Sequence, residues 1–142
     1  MEDIKNKLHE GNCSLVVKAN TSETFVFSDR GIRDLMQLLQ DKASHLLSGA
    51  ELADKVVGKA AAALMILGGV KAVYADVISQ PALQLFASAA PEIRVTYLDK
   101  VEYIINRAHT GWCPMELTCK DAHTPEECLE NIKIKLIELS KQ

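Results

Sequence analysis

The chain has 142 residues, the usual size of one domain, of which 48% are hydrophobic and 25% are charged. Its formal net charge of -3 excludes a protein that holds nucleic acid by bulk electrostatics, although a local basic patch stays open. No apolar run reaches the roughly 18–20 residues of a membrane span, and the first residues lack a signal-peptide core. We therefore expect a cytoplasmic protein that forms a single domain over residues 1–142 and does not enter membranes.

The first third of the chain combines two predicted helices with two short strands. Two apolar residues four positions apart predict an amphipathic helix over residues 3–9. The β-rich stretches 14–18 and 24–28 are separated by five small or polar residues, a pattern typical of a β-hairpin. A second amphipathic helix is expected from residue 32 to about residue 42.

Strands and helices alternate through the middle of the chain. Residues 49–54 predict a strand of weak β-propensity, and residues 57–67 predict a helix that is apolar nearly all round and ends at two glycines. Further strands are expected at 71–78 and 93–98, with a helix between them that has proline in its first turn. This order predicts an α/β protein, a three-layer α-β-α sandwich with a mixed sheet.

Two more helix starts follow in the last third. Residues 101–107 are ambiguous between strand and helix, and residues 108–112 predict a loop. Cys113 precedes a proline and Glu116 follows near the N-terminal dipole, which predicts a helix start. Thr124 predicts the N-cap of the final helix, with a glutamate at the capping-box position.

Gly58 and Lys59 stand close to a predicted helix start, where backbone N–H groups attract anions. The phosphate-binding P-loop pattern is not met, because Ala60 replaces the hydroxyl residue and Ala53 replaces the first glycine. A lysine is electrostatically unfavourable at a helix N-terminus, which hints that Lys59 contacts an anion. The alternative is a solvated Lys59 beside a glycine needed for close packing.

Five possible metal ligands lie in one short region: His109, Cys113, Cys119, His123 and Cys128. Their spacing does not match a structural zinc site, so we expect no zinc and no other cofactor. Cys113 differs from the other cysteines because a helix start lowers a thiol pKa and activates a nucleophile. No histidine is reliably placed as its base, and a capping residue beside a ligand pocket is the simpler interpretation.

The stretch ADKVVGKAAAALMILGGVKAVYADVIS, followed later by CPME, resembles a family of uncharacterised prokaryotic proteins with a cytidine deaminase-like fold. The resemblance covers nearly the whole chain. In true deaminases these two helix starts carry the zinc ligands and a proton-shuttling glutamate. Lys59 and Ala61 occupy the ligand and glutamate positions of the first helix, and Cys113 and Glu116 occupy the cysteine positions of the second. The resemblance therefore implies the fold and the pocket position, but not hydrolytic deamination.

The implied pocket lies where two helix N-termini, at Gly58 and Cys113, face each other. Its expected ligand-binding residues are Asp54, Lys55, Gly58, Lys59, Asn106, Arg107, Cys113 and Glu116. Two positive dipole ends and Lys59 suit an anion. Lys59 and Glu116 either face that ligand or pair with each other and fill the space.

The expected function is binding of a nucleotide or another phosphorylated or anionic metabolite. One alternative is an enzyme acting on a nucleotide-like substrate, with Cys113, Lys59 or Glu116 as catalytic candidates. Another is a zinc-dependent deaminase with ligands rearranged among Cys113, Glu116, Cys119 and His109. A third is an interaction module with a vestigial pocket and Trp112 as its contact residue.

We also expect a homo-oligomer. The deaminase-like fold commonly self-associates through its central helices, and the predicted helix 57–67 is apolar nearly all round.

Overall fold

A computed structural model describes residues 1–28, 32–40, 46–106 and 108–141. Its helices are α1 (Glu2–Glu10), α2 (Arg33–Gln40), α3 (Lys59–Gly68), α4 (Gln80–Ala89), α5 (Pro114–Cys119) and α6 (Pro125–Ser140). Its strands are β1 (Leu15–Lys18), β2 (Thr24–Phe27), β3 (Glu51–Val57), β4 (Ala72–Ser79) and β5 (Arg94–Val101). None of the helices in the described ranges is long and apolar enough to cross a membrane.

The five strands form one mixed sheet in the order β2-β1-β3-β4-β5. The antiparallel hairpin predicted at its start is confirmed, because Leu15 pairs with Phe27 and Lys18 with Thr24. β1 is also antiparallel to β3, whereas β3, β4 and β5 run parallel. The parallel strands are connected by α3 and α4, as parallel pairing requires a crossover.

Buried apolar residues form two clusters. The smaller one joins α1 to the sheet and contains Ile4, Leu8, Cys13, Val16, Ala53 and Tyr74. The larger one contains residues of α2, α3, α4, α5 and α6 together with strand residues. In β1, Val16 belongs to the smaller cluster, whereas Leu15 and Val17 belong to the larger one. This alternation is that of a strand buried on both faces.

α3 is surrounded by the rest of its own chain. Its residues 60–65 are all buried, and it packs against α2, α4, α5 and α6. At its end Gly69 adopts a left-handed φ of 82°, a conformation that glycine reaches without strain. The apolar surface that suggested self-association through this helix is therefore covered within the chain.

The structure differs from the sequence expectations mainly at element boundaries. β3 continues to Val57, which pairs with Ile78 of β4, so α3 begins only after Gly58. In the ambiguous stretch 101–107, Val101 ends β5, residues 102–106 form no helix, and residue 107 lies outside the described residues. Ile105 forms an isolated bridge with Trp112. The expected end of the second helix near residue 42 lies outside the described residues.

The last helix begins as predicted. The Thr124 side chain accepts a hydrogen bond from the Glu127 N–H, 3.1 Å away. The Glu127 carboxylate in turn accepts from the His123 N–H at 3.0 Å, one residue before the donor that a capping box uses.

Candidate functional site at the start of α3

The start of α5 brings Glu116 to the N-terminus of α3. Cys113 is the N-cap of α5, and its N–H donates to the carbonyl of Ile104 at 2.7 Å. Pro114 follows at the first helical position, where its missing N–H leaves no bond unmade. Glu116 lies within the first turn, and only 2% of its surface is exposed. A carboxyl group so deeply buried needs hydrogen-bond donors around it.

Three donors surround the Glu116 carboxylate. Oε1 accepts from the Lys59 backbone N–H at 2.7 Å and from the Ser79 hydroxyl at 3.2 Å. Oε2 accepts from the backbone N–H of Ile104 at 2.8 Å. We call these donors of Lys59, Ser79 and Ile104 the carboxylate cradle. Because Lys59 opens α3, the Glu116 carboxylate satisfies one of the N–H groups that a helix start leaves unpaired, and it lies at the positive end of the helix dipole.

Ser79 connects the cradle to a further helix. Its hydroxyl oxygen caps α4 by accepting a hydrogen bond from the Ala82 N–H at 3.2 Å. The same hydroxyl group donates a hydrogen bond to Glu116. The side chain is fully buried. Glu116 of α5 therefore links the starts of α3 and α4 and the loop before α5 through a single carboxylate.

The close approach of Glu116 leaves little space for a side chain at position 58. A Cβ at this position would lie 3.2 Å from both carboxylate oxygens and 3.2 Å from Cγ1 of Ile104. The φ of Gly58 is −95°, which any residue adopts, so the backbone conformation does not require glycine. The sequence expectation of a glycine needed for close packing matches this geometry.

The Lys59 side chain points away from Glu116 and caps the C-terminal end of α5. Its Nζ donates to the carbonyls of Ala122 at 2.6 Å and Lys120 at 3.2 Å, just beyond the last residue of α5. A cation at this position satisfies carbonyls that a helix end leaves free. Lys59 and Glu116 thus do pair, but through the lysine backbone, while the ammonium group bonds elsewhere.

Two buried thiols stand between α5 and α6. Cys119 and Cys128 are both fully buried, and the Cys119 Sγ lies 3.9 Å from the Cys128 carbonyl oxygen. Hydrogen bonding with Cys128, together with burial, raises the pKa of the Cys119 thiol well above its usual range. Within the described part of the chain, no three His, Cys, Asp or Glu side chains are grouped so that they could hold a metal ion.

The other predicted ligand-binding residues that the structure describes do not contribute hydrogen bonds to the Glu116 carboxylate. Asp54 lies in β3, four residues before Gly58, which corresponds to a distance of about 13 Å along the extended chain. Burial raises its pKa to about 7, although the Val56 N–H donates to it at 3.3 Å. Lys55 is half-buried in the same strand. Asn106 closes its own loop, accepting from the Thr110 N–H at 3.0 Å. The remaining predicted residue, number 107, lies outside the described residues.

A stack of aromatic rings borders the cradle and was missed at the level of sequence. Tyr103 and Trp112 are stacked with ring centroids 4.6 Å apart and planes 3° from parallel. The Lys120 Nζ lies over the Trp112 ring, 5.2 Å from its centroid. Both rings are half-buried and Lys120 is exposed. Tyr103 therefore covers one face of the indole.

The fold and the site define a small α/β protein in which a buried glutamate ties together the starts of two sheet-connecting helices. A family model described as TM1506, a domain of unknown function (DUF1893), matches residues 3–136, and the chain belongs to this family. The chain is similar to the crystal structure of a DUF1893 family protein (TM1506) from Thermotoga maritima. The TM-score is 0.82 at 25% sequence identity, over 94% of this chain and 88% of that chain. No curated protein matches the chain.

Proposed function

We propose that this protein binds a nucleotide-like or other small anionic molecule without deaminating it, on a three-layer α-β-α fold of the cytidine deaminase-like kind. The two apolar clusters support the layers, since α1 packs with one cluster and the remaining helices with the other. Lys59 and Ala61, at positions where deaminases have a zinc ligand and a glutamate, support the loss of hydrolytic chemistry.

The observation that carries the proposal is the Lys120 ammonium over the Trp112 ring, one face of which Tyr103 covers. An exposed lysine side chain moves at little cost, so a nucleobase can take its place on the indole. Base–aromatic stacking contributes about 1–3 kcal/mol per base. The displaced ammonium then stays within reach of a phosphate or carboxylate on the same ligand.

The position of this pair also suits an anion. Trp112 directly precedes Cys113, the N-cap of α5, and the Lys120 carbonyl bonds to Lys59. The described bonds of Lys59 use two of the three N–H groups of its ammonium. The remaining N–H of Lys59, next to the Lys120 backbone, supports it as a second cation for the ligand. Glu116 fills the cradle itself, so the ligand is expected at the rim formed by Trp112, Lys120 and Lys59.

The enzymatic alternatives receive less support from the geometry. Lys59 donates to two carbonyls, so its amine would have to leave both of them to act as a base or a covalent nucleophile. Cys113 is half-buried and remains the candidate nucleophile of such an enzyme. A zinc-dependent activity would require Cys113, Glu116 and other ligands to rearrange, since Glu116 is held by three donors.

The test uses Trp112, which is the only tryptophan of the chain and therefore its own fluorescent probe. Native mass spectrometry of the purified protein first reports any retained small molecule or zinc. Nucleoside mono- and diphosphates and inorganic phosphate are then titrated while Trp112 emission is recorded. We expect a saturable change with nucleotides, and a loss of about tenfold in affinity for Lys120→Met, equal to about 1.4 kcal/mol.

Lys133→Met is the matched control, because this lysine is exposed on α6. The proposal is wrong if no nucleotide or phosphate changes the emission at concentrations of about 1 mM, where a binding free energy near −4 kcal/mol would be detected. It is also wrong if Lys120→Met and Lys133→Met bind alike. Stoichiometric zinc would instead support the deaminase with rearranged ligands.

A further inference from the structure

β5 leaves one edge of the sheet open. It is the last strand in the order β2-β1-β3-β4-β5, and no strand in the described ranges pairs with its outer edge. The strand is eight residues long and contains no proline. Leu98 and Tyr97, near its middle, are 66% and 44% exposed. A long edge with unpaired N–H and C=O groups and apolar side chains is a template for pairing with another chain.

We propose that two copies of this protein associate by antiparallel pairing of their β5 edges, about a two-fold axis that passes beside Leu98. The two sheets then form one continuous ten-stranded sheet. Such an interface is isologous, because the same strand contributes to both sides. The proposal is independent of the small-molecule binding argued above.

The direction of the backbone groups restricts the possible registers. The Arg94 N–H donates to the carbonyl of Lys71, the residue before β4, at 3.1 Å. The backbone N–H and C=O groups of Arg94 are therefore directed to β4 and not to the open edge. Because the direction alternates along a strand, Val95, Tyr97 and Asp99 direct their N–H and C=O groups to the open edge. Residues opposite each other in an antiparallel pair face the same way. A symmetric pairing must therefore be centred on one residue and not between two.

A centre at Leu98 is favoured by charge. It places Val95 opposite Val101 and Leu98 opposite its own copy, and it brings Arg94 to the second copy's Glu102, the first residue after β5. The ends of the pairing then carry opposite charges, and the most exposed large apolar side chain of the described residues lies at its middle. Opposite charges directly across a pair stabilise a sheet, and like charges destabilise it.

The neighbouring centres fit less well. A centre at Tyr97 places Arg94 opposite Lys100, and centres at Asp99 or Lys100 place identical charges on the axis. A centre at Thr96 pairs only five strand residues, because a turn precedes Arg94. The pairing about Leu98 is thus the one that opposes seven of the eight residues of β5, numbers 95–101, without opposing like charges.

The first test is the oligomeric state, measured by sedimentation equilibrium on the wild-type chain and on charge variants. We expect a wild-type dimer that Arg94→Glu and Glu102→Arg each weaken at least tenfold, and that the double variant restores. The Arg94 side chain is 69% exposed, and its distance to Glu51 is 4.0 Å, so reversing its charge leaves the fold intact. Circular dichroism of each variant checks this.

The second test is a disulfide between copies. In the Cys113→Ser background, Leu98→Cys places two thiols on the axis at a non-hydrogen-bonded pair, where strand Cα atoms approach to about 4.5 Å. We expect this variant to cross-link under mild oxidation. Thr96→Cys is the matched control, since its position lies opposite Lys100 and should cross-link far more slowly.

Three results would overturn the proposal. One is a monomeric wild-type chain, another is a dimer that survives both single charge reversals, and the third is equal cross-linking of the two cysteine variants. Restoration by the double charge variant, together with selective cross-linking at position 98, would establish the pairing and its register.

Discussion

The Glu116 carboxylate oxygen lies 2.7 Å from the backbone nitrogen of Lys59, so a side chain of α5 closes the first turn of α3. The same lysine sends its ammonium group to carbonyls at the far end of α5. The two helices thus cap each other, one by an acid at an N-terminus and one by a base at a C-terminus. Both contacts have the sign that the helix dipoles favour.

Replacing Glu116 by glutamine should destabilise the fold by about 2–4 kcal/mol, because the new amide group faces a backbone N–H and leaves a buried donor unpaired. Urea unfolding of Glu116→Gln measures this loss. Glu130→Gln, on the exposed surface of α6, is the control and should change the free energy of unfolding by no more than about 0.5 kcal/mol. Equal free energies of unfolding for the two variants would show that the hydrogen bonds of Glu116 do not stabilise the fold.

Gly58→Ala should cost about 1–3 kcal/mol, because its Cβ meets both Glu116 oxygens and Ile104 at 3.2 Å. The cost should fall in a Glu116→Ala background, where the oxygens are gone. A double-mutant cycle of unfolding free energies measures this coupling. Gly11→Ala is the control, since an added Cβ there meets nothing within 4 Å. Additive effects of the two substitutions would contradict the close approach.

Lys59→Met should destabilise the protein by about 1–3 kcal/mol, since it leaves the Ala122 and Lys120 carbonyls without their donor. The methionine keeps most of the apolar stem, so the loss reports the ammonium group. Urea unfolding provides the measurement, with Lys133→Met as the exposed control. An unchanged stability would mean that the Lys59 side chain does not hold α5 in solution and is available to a ligand.

Much of the fold could be predicted from the sequence, because the strands and helices have clear periodicity and end at glycine or proline. The boundary between β3 and α3 could not. Val57 fits a buried strand as well as a buried helix, and only its pairing with Ile78 of β4 decides between them. Local patterns carry no information on which distant strand supplies that pairing.

The site was predictable in part. The resemblance placed Gly58, Lys59 and Glu116 together, although Lys59 and Glu116 are 57 positions apart. The cradle donors Ser79 and Ile104 gave no such signal, since a serine before a proline-started helix indicates only an N-cap. Their role depends on where three backbone segments meet, and single-sequence periodicity does not report this.

The cysteines should differ sharply in reactivity. Cys113 is half-buried, whereas Cys13, Cys119 and Cys128 are buried. Alkylation of the folded protein, followed by mass spectrometry of its peptides, should modify Cys113 first. The buried thiols should react about 100-fold more slowly, because they need local opening of the structure. Fast labelling of Cys119 or Cys128 in Cys113→Ser would contradict the packing of α5 against α6, and fast labelling of Cys13 would contradict the packing of α1 on the sheet.

Asp54 should make stability depend on pH. Burial raises its pKa to about 7 from the usual 3.8, so the folded state holds the proton more tightly than the unfolded state does. Between about pH 4 and pH 7 the unfolded chain has lost this proton while the folded chain retains it. Stability contributed by the protonated group therefore falls as the pH rises through this window, and the loss is complete above pH 7.

Asp54→Asn removes the titration and should be more stable than the wild type at pH 8, by about 2 kcal/mol. The difference between the two pKa values sets an upper limit of about 4 kcal/mol, and the partial contact of Asp54 with water lowers it. At pH 4 the two proteins should unfold alike. Urea unfolding at several pH values measures the difference, with Asp99→Asn on exposed β5 as control. A gain that does not depend on pH would show that hydrogen bonding of the amide, and not the buried charge, stabilises the variant.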